Sequence, residues 1–157
     1  MKILALRFKK DELIIAVCNI SEEIFNVINL EKRIFRSAKT GGERLNNVRD
    51  EIQLLVSKYQ PDSIVFRSAD FSRFSPKDEI RLKNEAILEE YCFSNNIILK
   101  ELNKRIVRKE LSFKKKELTK KETEAKSYIL KNTKITKSNI ILEFLILLYL
   151  TEQRRGD

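Results

Sequence analysis

The sequence predicts an α/β fold in which helices flank one mixed five-stranded sheet. Two observations predict this class. The first third of the chain contains short apolar runs separated by charged turns, the pattern of strands joined by hairpins. Beyond residue 43, segments with an apolar residue at every third or fourth position alternate with short apolar runs. Because hairpins give antiparallel strands and helical crossovers give parallel ones, the first three strands should be antiparallel and the later ones parallel.

Three strands are expected before residue 40. Residues 2–8 and 12–19 are apolar runs separated by a charged turn at 9–11, and a third strand, in two pieces, lies within 24–36. The Gly41-Gly42 pair then predicts a break in regular structure. Since 157 residues fit one hydrophobic core, we expect a single domain over 1–157.

The rest of the chain alternates helix and strand before it ends in helices. The predicted elements are a helix over 43–59, a strand over 63–67, a helix from the Ser75 cap to 94–96, a strand over 97–99, a helix from the capping box at Thr119 to about 131, and a final apolar helix capped by Ser138. The segment between the last strand and Thr119 is rich in lysine and arginine.

Composition limits the chemistry. The 32 Lys and Arg residues against 23 Asp and Glu give a formal net charge of +9, which favours a negatively charged partner, nucleic acid first. The chain has no histidine, which excludes serine–histidine and cysteine–histidine catalysis and leaves carboxylate–metal chemistry, lysine chemistry or none. Cys18 and Cys92 show no metal-binding spacing and are interpreted as core residues.

The expected location is the cytoplasm, without membrane association. The N-terminal residues lead straight into an apolar strand with no signal-peptide pattern. The longest apolar stretch, 140–150, is 11 residues long and contains a glutamate, so it is too short to span a bilayer.

Four segments follow one known pattern in the same order and over almost the whole chain. They are KILALR at 2–7, SIVFR at 63–67, RIVRKEL at 105–111 and KSNIILEFL at 137–145. Together with the order of elements, they resemble the ribonuclease H-like superfamily, and within it the RuvC-like Holliday-junction resolvases. The resemblance implies a ribonuclease H-like fold and a nucleic acid partner.

In that family the first strand ends in a catalytic aspartate, the fourth in a glutamate, and the last helix begins with acidic residues that complete a two-metal site. Here Arg7 and Arg67 occupy the strand positions, Ser138 and Asn139 stand at the helix start, and Glu143 is the acid left nearby. A guanidinium cannot ligate a cation and repels one. We therefore expect no bound metal, no cofactor and no nuclease activity.

Two alternatives stay open for the remaining acids. Asp70, Asp11 and Glu143 could form a displaced carboxylate cluster that binds Mg²⁺ and makes the chain an active nuclease or junction resolvase. In the other alternative, Glu143 is buried and paired with Arg7 or Arg67, because a buried carboxylate needs a partner.

The two arginines suggest an anion site instead of a cation site. Arg7 and Arg67, with Lys9 and Arg73 close by, would bind a backbone phosphate, since guanidiniums match phosphate oxygens bidentately. In the alternative, each arginine neutralises a nearby acid. Further predicted phosphate contacts are Lys104, Arg105, Arg108, Lys109, Lys114, Lys115 and Lys116. If these are instead a solvated face, neighbouring glutamates should pair with them.

The sequence thus predicts a catalytically inactive, basic domain of RuvC-like fold that binds DNA or RNA. The alternative is a protein-interaction or structural module of the same fold, such as a homodimer formed through an exposed apolar edge.

Overall fold

The computed structural model has one five-stranded sheet with a layer of helices on each face. It describes residues 1–21, 24–68, 76–112, 114–133 and 141–153. The strands are β1 (Lys2–Phe8), β2 (Glu12–Ile20), β3 (Phe25–Ile34), β4 (Ser63–Arg67) and β5 (Ile98–Leu102). The helices are α1 (Gly41–Tyr59), α2 (Pro76–Ser94), α3 (Lys104–Glu110), α4 (Lys115–Asn132) and α5 (Leu142–Gln153).

The sheet has the order β3-β2-β1-β4-β5. β1 pairs antiparallel with β2, and β2 with β3, whereas β4 pairs parallel with both β1 and β5. The predicted fold class, a mixed five-stranded sheet whose first three strands are antiparallel, is confirmed.

The sheet separates two hydrophobic cores, and the side chains of β1 alternate between them. Ile3 and Ala5 face the layer of α3, α4 and α5, and Leu4 and Leu6 face α1 and α2. Each core is closed by the apolar sides of its helices. α5 is almost entirely buried, because it packs between the sheet and α4.

The break predicted between the third strand and the first helix lies at 35–40, and the Gly41-Gly42 pair already begins α1. The Thr40 side chain accepts a hydrogen bond from the Glu43 backbone N–H at 3.1 Å, and the Glu43 carboxylate accepts one from the Lys39 N–H at 2.7 Å. The first bond satisfies a donor that the helix start leaves open, and the second fixes the chain just before the cap, so the helix tolerates two glycines in its first turn.

Four other features differ from the prediction. The basic segment contains the short helix α3, which was not predicted, and α4 begins at Lys115, so that Thr119 lies inside the helix and not at its cap. β3 is one continuous strand, and β5 extends to Leu102. The predicted caps Ser75 and Ser138 lie outside the described residues.

Both cysteines are buried, as predicted for core residues. Burial raises the pKa of the Cys18 thiol to about 12 and that of Cys92 to about 11. Among the described residues, no helix is both long and apolar enough to cross a membrane.

Candidate functional site

The carboxyl ends of β1, β4 and β5 lie side by side, since these strands are parallel. We call this row of strand ends the edge of the sheet, as distinct from its edge strands. Leu6 and Phe66 are the last aligned pair of β1 and β4, so Arg7 and Arg67 occupy the next position on neighbouring strands. Both side chains project from the face that carries Ala5, the face covered by α3, α4 and α5.

Arg67 is deeply buried for an arginine, with 5% of its surface exposed. Its Nη1 donates a hydrogen bond to the Ser68 carbonyl at 3.1 Å, and the Ser68 N–H donates to the Leu102 carbonyl at 3.3 Å. The end of β4 is therefore fixed to the end of β5. Arg7 is partly buried on the adjoining strand.

α2 supplies polar side chains that bind the ends of the same strands from the opposite face. Arg81 donates through Nη2 to the Arg67 carbonyl and through Nε to Glu85 Oε1 at 2.7 Å. The buried Asn84 amide donates to the Lys9 carbonyl at 3.4 Å. These contacts, which were not predicted, bind the backbone carbonyl at the end of β4 and the one just after β1.

α3 begins directly at this edge. The Asn103 side chain caps it by accepting from the Ile106 N–H at 2.9 Å, and its amide donates to the Ser68 hydroxyl at 3.0 Å. Asparagine is a favoured N-cap because its carbonyl satisfies an open helix donor. One side chain thus positions α3 against the end of β4.

Lys104, the first residue of α3, joins three helices. Its Nζ lies 3.2 Å from Glu122 Oε1 on α4 and 3.5 Å from Glu143 Oε1 on α5. Burial by itself lowers the pKa of Lys104, but the hydrogen bonds and charges of the two carboxylates outweigh it and hold this pKa above its ordinary value. The lysine therefore stays protonated between them.

Several predicted partners are different in the structure. Glu143 is 45% exposed on its side chain and pairs with Lys104, so the expectation of a buried carboxylate paired with Arg7 or Arg67 is wrong. The reason is orientation, since Glu143 lies on the exposed side of α5 while its neighbours are buried. Asp11 pairs with Arg44 at 3.1 Å.

Lys9, another predicted phosphate contact, lies in the turn between β1 and β2. Its ammonium contacts Glu12 Oε1 at 2.5 Å, and the Glu12 carboxylate also contacts Lys32 at 3.2 Å. The hydrogen bond from Lys9 lowers the pKa of Glu12 more than burial raises it, so this pKa lies below its ordinary value. The charge of Lys9 is thus shared with an acid of its own hairpin.

The predicted basic surface is exposed along α3 and the start of α4. The buried residues Val107, Leu111 and Leu118 anchor the segment to the core. Its exposed cations, none of which forms an ion pair with another residue that the structure describes, are Arg105, Arg108, Lys109, Lys114 and Lys116. Asp70, Arg73 and the side chain of Lys115 lie outside the described residues.

Three solved structures resemble this chain in fold. RuvC of Thermus thermophilus, in complex with a Holliday junction substrate, matches with a TM-score of 0.69 and 11% identity over 96% of this chain and 92% of that chain. The chain has the RuvC-type fold. The RuvC-type fold also occurs in the yeast mitochondrial Holliday junction resolvase Ydc2, with a TM-score of 0.57, 9% identity, and coverage of 98% of this chain and 80% of that one.

The fowlpox virus Holliday junction resolvase matches the RuvC-type fold of this chain with a TM-score of 0.54 and 16% identity, over 96% of this chain and 99% of that one. No protein-family model and no curated protein matches the sequence. At these identities the likeness shows a shared fold.

The described residues do not fit the two-metal site that the resemblance implies. Within the described ranges, no group of three or more Cys, Asp or Glu residues is arranged to hold a metal ion. Arg7 and Arg67 stand at the strand ends, and Glu122 and Glu143 already share the ammonium of Lys104. A two-metal site needs three or four converging carboxylates.

Proposed function

We propose that this chain is a nucleic-acid-binding domain of RuvC-type fold that does not cleave its ligand by two-metal catalysis. One observation carries the proposal. Five exposed cations between Arg105 and Lys116 form no ion pair within the described part of the chain. Unpaired cations on one segment are the surface that a phosphate backbone requires.

Two further observations support a nucleic acid as the partner. The net charge is +9, and the RuvC of Thermus thermophilus that shares the fold was solved bound to a Holliday junction. At the carboxyl ends of β1 and β4, the partly buried Arg7 and the buried Arg67 add positive charge that would attract a phosphate. DNA that lies along α3 and reaches the strand ends would be near positive charge at both places.

Fluorescence anisotropy at two salt concentrations tests the binding. We expect the affinity for a labelled four-way junction to fall at least tenfold between about 50 and 200 mM salt, because each phosphate contact releases counterions. Labelled duplex and single-stranded DNA and RNA identify the preferred ligand. Binding that ignores salt, or no binding at about 50 mM salt, contradicts the proposal.

Charge reversal locates the surface. The double variant Arg105→Glu, Arg108→Glu should reduce the steepness of the salt dependence by about two phosphate contacts. The matched control Lys126→Glu, Lys131→Glu changes the charge equally on exposed positions of α4, about 15 Å or more along the helix from Lys116. If both doubles weaken binding equally, net charge and not this surface is responsible.

A cleavage assay tests the absence of two-metal catalysis. Labelled junction, duplex and single-stranded substrates should remain intact in Mg²⁺ or Mn²⁺. Cutting that depends on metal and disappears in Glu143→Gln would establish the displaced-carboxylate alternative. That result would leave the anisotropy measurements, and with them nucleic acid binding, untouched.

One observation favours the second candidate, an interaction module. Phe93 at the end of α2 is 87% exposed, and Ile98 at the start of the edge strand β5 is 63% exposed. The partner to test first is a second copy, because an edge strand can pair with itself about a two-fold axis. Sedimentation should then show a dimer that Phe93→Ser dissociates, and a monomer at about 100 μM would remove this candidate.

A further inference from the structure

The ammonium of Lys104 has two carboxylate partners that come from different helices. Glu122 lies 18 residues and Glu143 39 residues further along the chain, yet both direct an Oε1 at the same Nζ, at 3.2 and 3.5 Å. By contrast, Lys121 pairs with Glu124 three residues away on the same helix. The Lys104 contact is therefore made by the packing of α3, α4 and α5.

We propose that Lys104 is a built-in cation, whose ammonium occupies the position between Glu122 and Glu143 that a divalent metal ion would otherwise take, and so excludes metal from these two acids.

The charge balance supports this role. Two carboxylates directed at one point repel each other unless a cation lies between them. In proteins, Mg²⁺ is commonly held by one or two carboxylates and completes its shell with water. Without Lys104, Glu122 and Glu143 would offer that arrangement. With it, the position carries a cation that is covalently part of the chain and cannot diffuse away.

The three side chains are exposed enough for a metal ion to reach the carboxylates when the lysine is replaced. Glu122 is 19% exposed, while Lys104 and Glu143 are 50% and 45% exposed, so water and ions can reach the carboxylates once the ammonium is gone. Lys104 is also too exposed to be essential for the core. A neutral substitution should therefore leave the protein folded.

The test uses Lys104→Met, which removes the charge and keeps most of the aliphatic stem. We expect about 10 mM Mn²⁺ to raise the Tm of this variant by about 3 to 6 °C, the result for a site with a Kd of about 1 mM in a domain of this size. The wild-type Tm should not change beyond the effect of equal ionic strength in NaCl. Electron paramagnetic resonance of Mn²⁺, whose free-ion signal falls on binding, gives a direct second measurement.

Two controls make the result specific. Lys121→Met removes the same charge from the pair with Glu124 and should gain no Mn²⁺ response. Lys104→Met combined with Glu143→Gln should lose the response gained by Lys104→Met alone. A Mn²⁺ response equal in the wild type and Lys104→Met, or absent from Lys104→Met in both measurements, overturns the proposal. No nucleic acid is present, so this outcome is independent of the proposed binding function.

Discussion

Asn103 should be the residue whose replacement most weakens the attachment of α3. Its Oδ1 caps the helix through the Ile106 N–H, and its Nδ2 binds the hydroxyl of the buried Ser68. Loss of an N-cap costs about 1 kcal/mol, and loss of a hydrogen bond to a buried group costs about 1 kcal/mol more. We expect Asn103→Ala to lower the free energy of unfolding by about 2 kcal/mol.

Two further variants separate the contributions. Asn103→Ser keeps a capping oxygen and removes the amide donor without adding a charge beside Glu101, so it should lose about 1 kcal/mol, half the effect of alanine. Asn132→Ala is the control, because Asn132 donates at 2.8 Å to the Tyr128 carbonyl from an exposed position at the end of α4. Its loss should stay below about 0.5 kcal/mol.

Urea unfolding followed by circular dichroism measures all three. With a slope of about 2 kcal/mol per molar urea, Asn103→Ala should shift the midpoint by about 1 M without a change in slope. If alanine and serine give equal losses, the cap contributes nothing. If neither variant differs from the wild type, Asn103 does not hold α3 to β4.

Three other predictions test separate features. Gly42→Ala should stabilise the protein by about 0.5 kcal/mol in thermal unfolding, since a Cβ there meets no atom within 4 Å and α1 already includes the residue; destabilisation would contradict the observed start of α1. Cys18, whose burial raises its pKa to about 12, should react with a thiol reagent at pH 8 only on unfolding, whereas fast labelling of the native protein would contradict its burial. Burial raises the pKa of Glu31, but the Tyr59 hydroxyl and the charges of Arg33 and Lys58 outweigh it, so the pKa lies below 4.5. The wild type should therefore be more stable to urea than Glu31→Gln at pH 7. This difference in stability should shrink as the pH falls below about 4.5. A difference independent of pH would exclude the carboxylate charge as its cause.

The strands were predictable because their apolar runs are short and bounded by charged turns. β1 and β2 show this pattern, and the faces of β1 follow from simple alternation. β3 was divided in the prediction because its middle is polar. An edge strand tolerates polar side chains, since one side of it faces solvent.

α3 was missed because a helix of seven residues has too few turns to show periodicity. Val107 is its one fully buried residue, and charged residues surround it. The available signal was Asn103, a favoured N-cap directly before the segment. In the same way, the Thr40 to Glu43 spacing indicates the start of α1, although the two residues between them are glycines.

The candidate site was predictable in part. The neighbouring positions of Arg7 and Arg67 follow from the parallel pairing of β1 and β4, which the order of elements implies. The contact of Lys104 with Glu122 and Glu143 could not be predicted from the sequence. These residues lie 18 and 39 positions away, and they reach Lys104 only because of the angles among three helices. Spacing within one helix, which relates Lys121 to Glu124, has no counterpart between helices.

The two faces of the sheet belong to different cores. Arg7 and Arg67 project from the face of α3, α4 and α5, while the core beneath α1 and α2 is formed by the alternate residues of the same strands. Substitutions that exchange acids for bases on one face therefore leave the packing of the other intact. A designer could install carboxylates at these two positions and keep half of the protein as an unaltered scaffold.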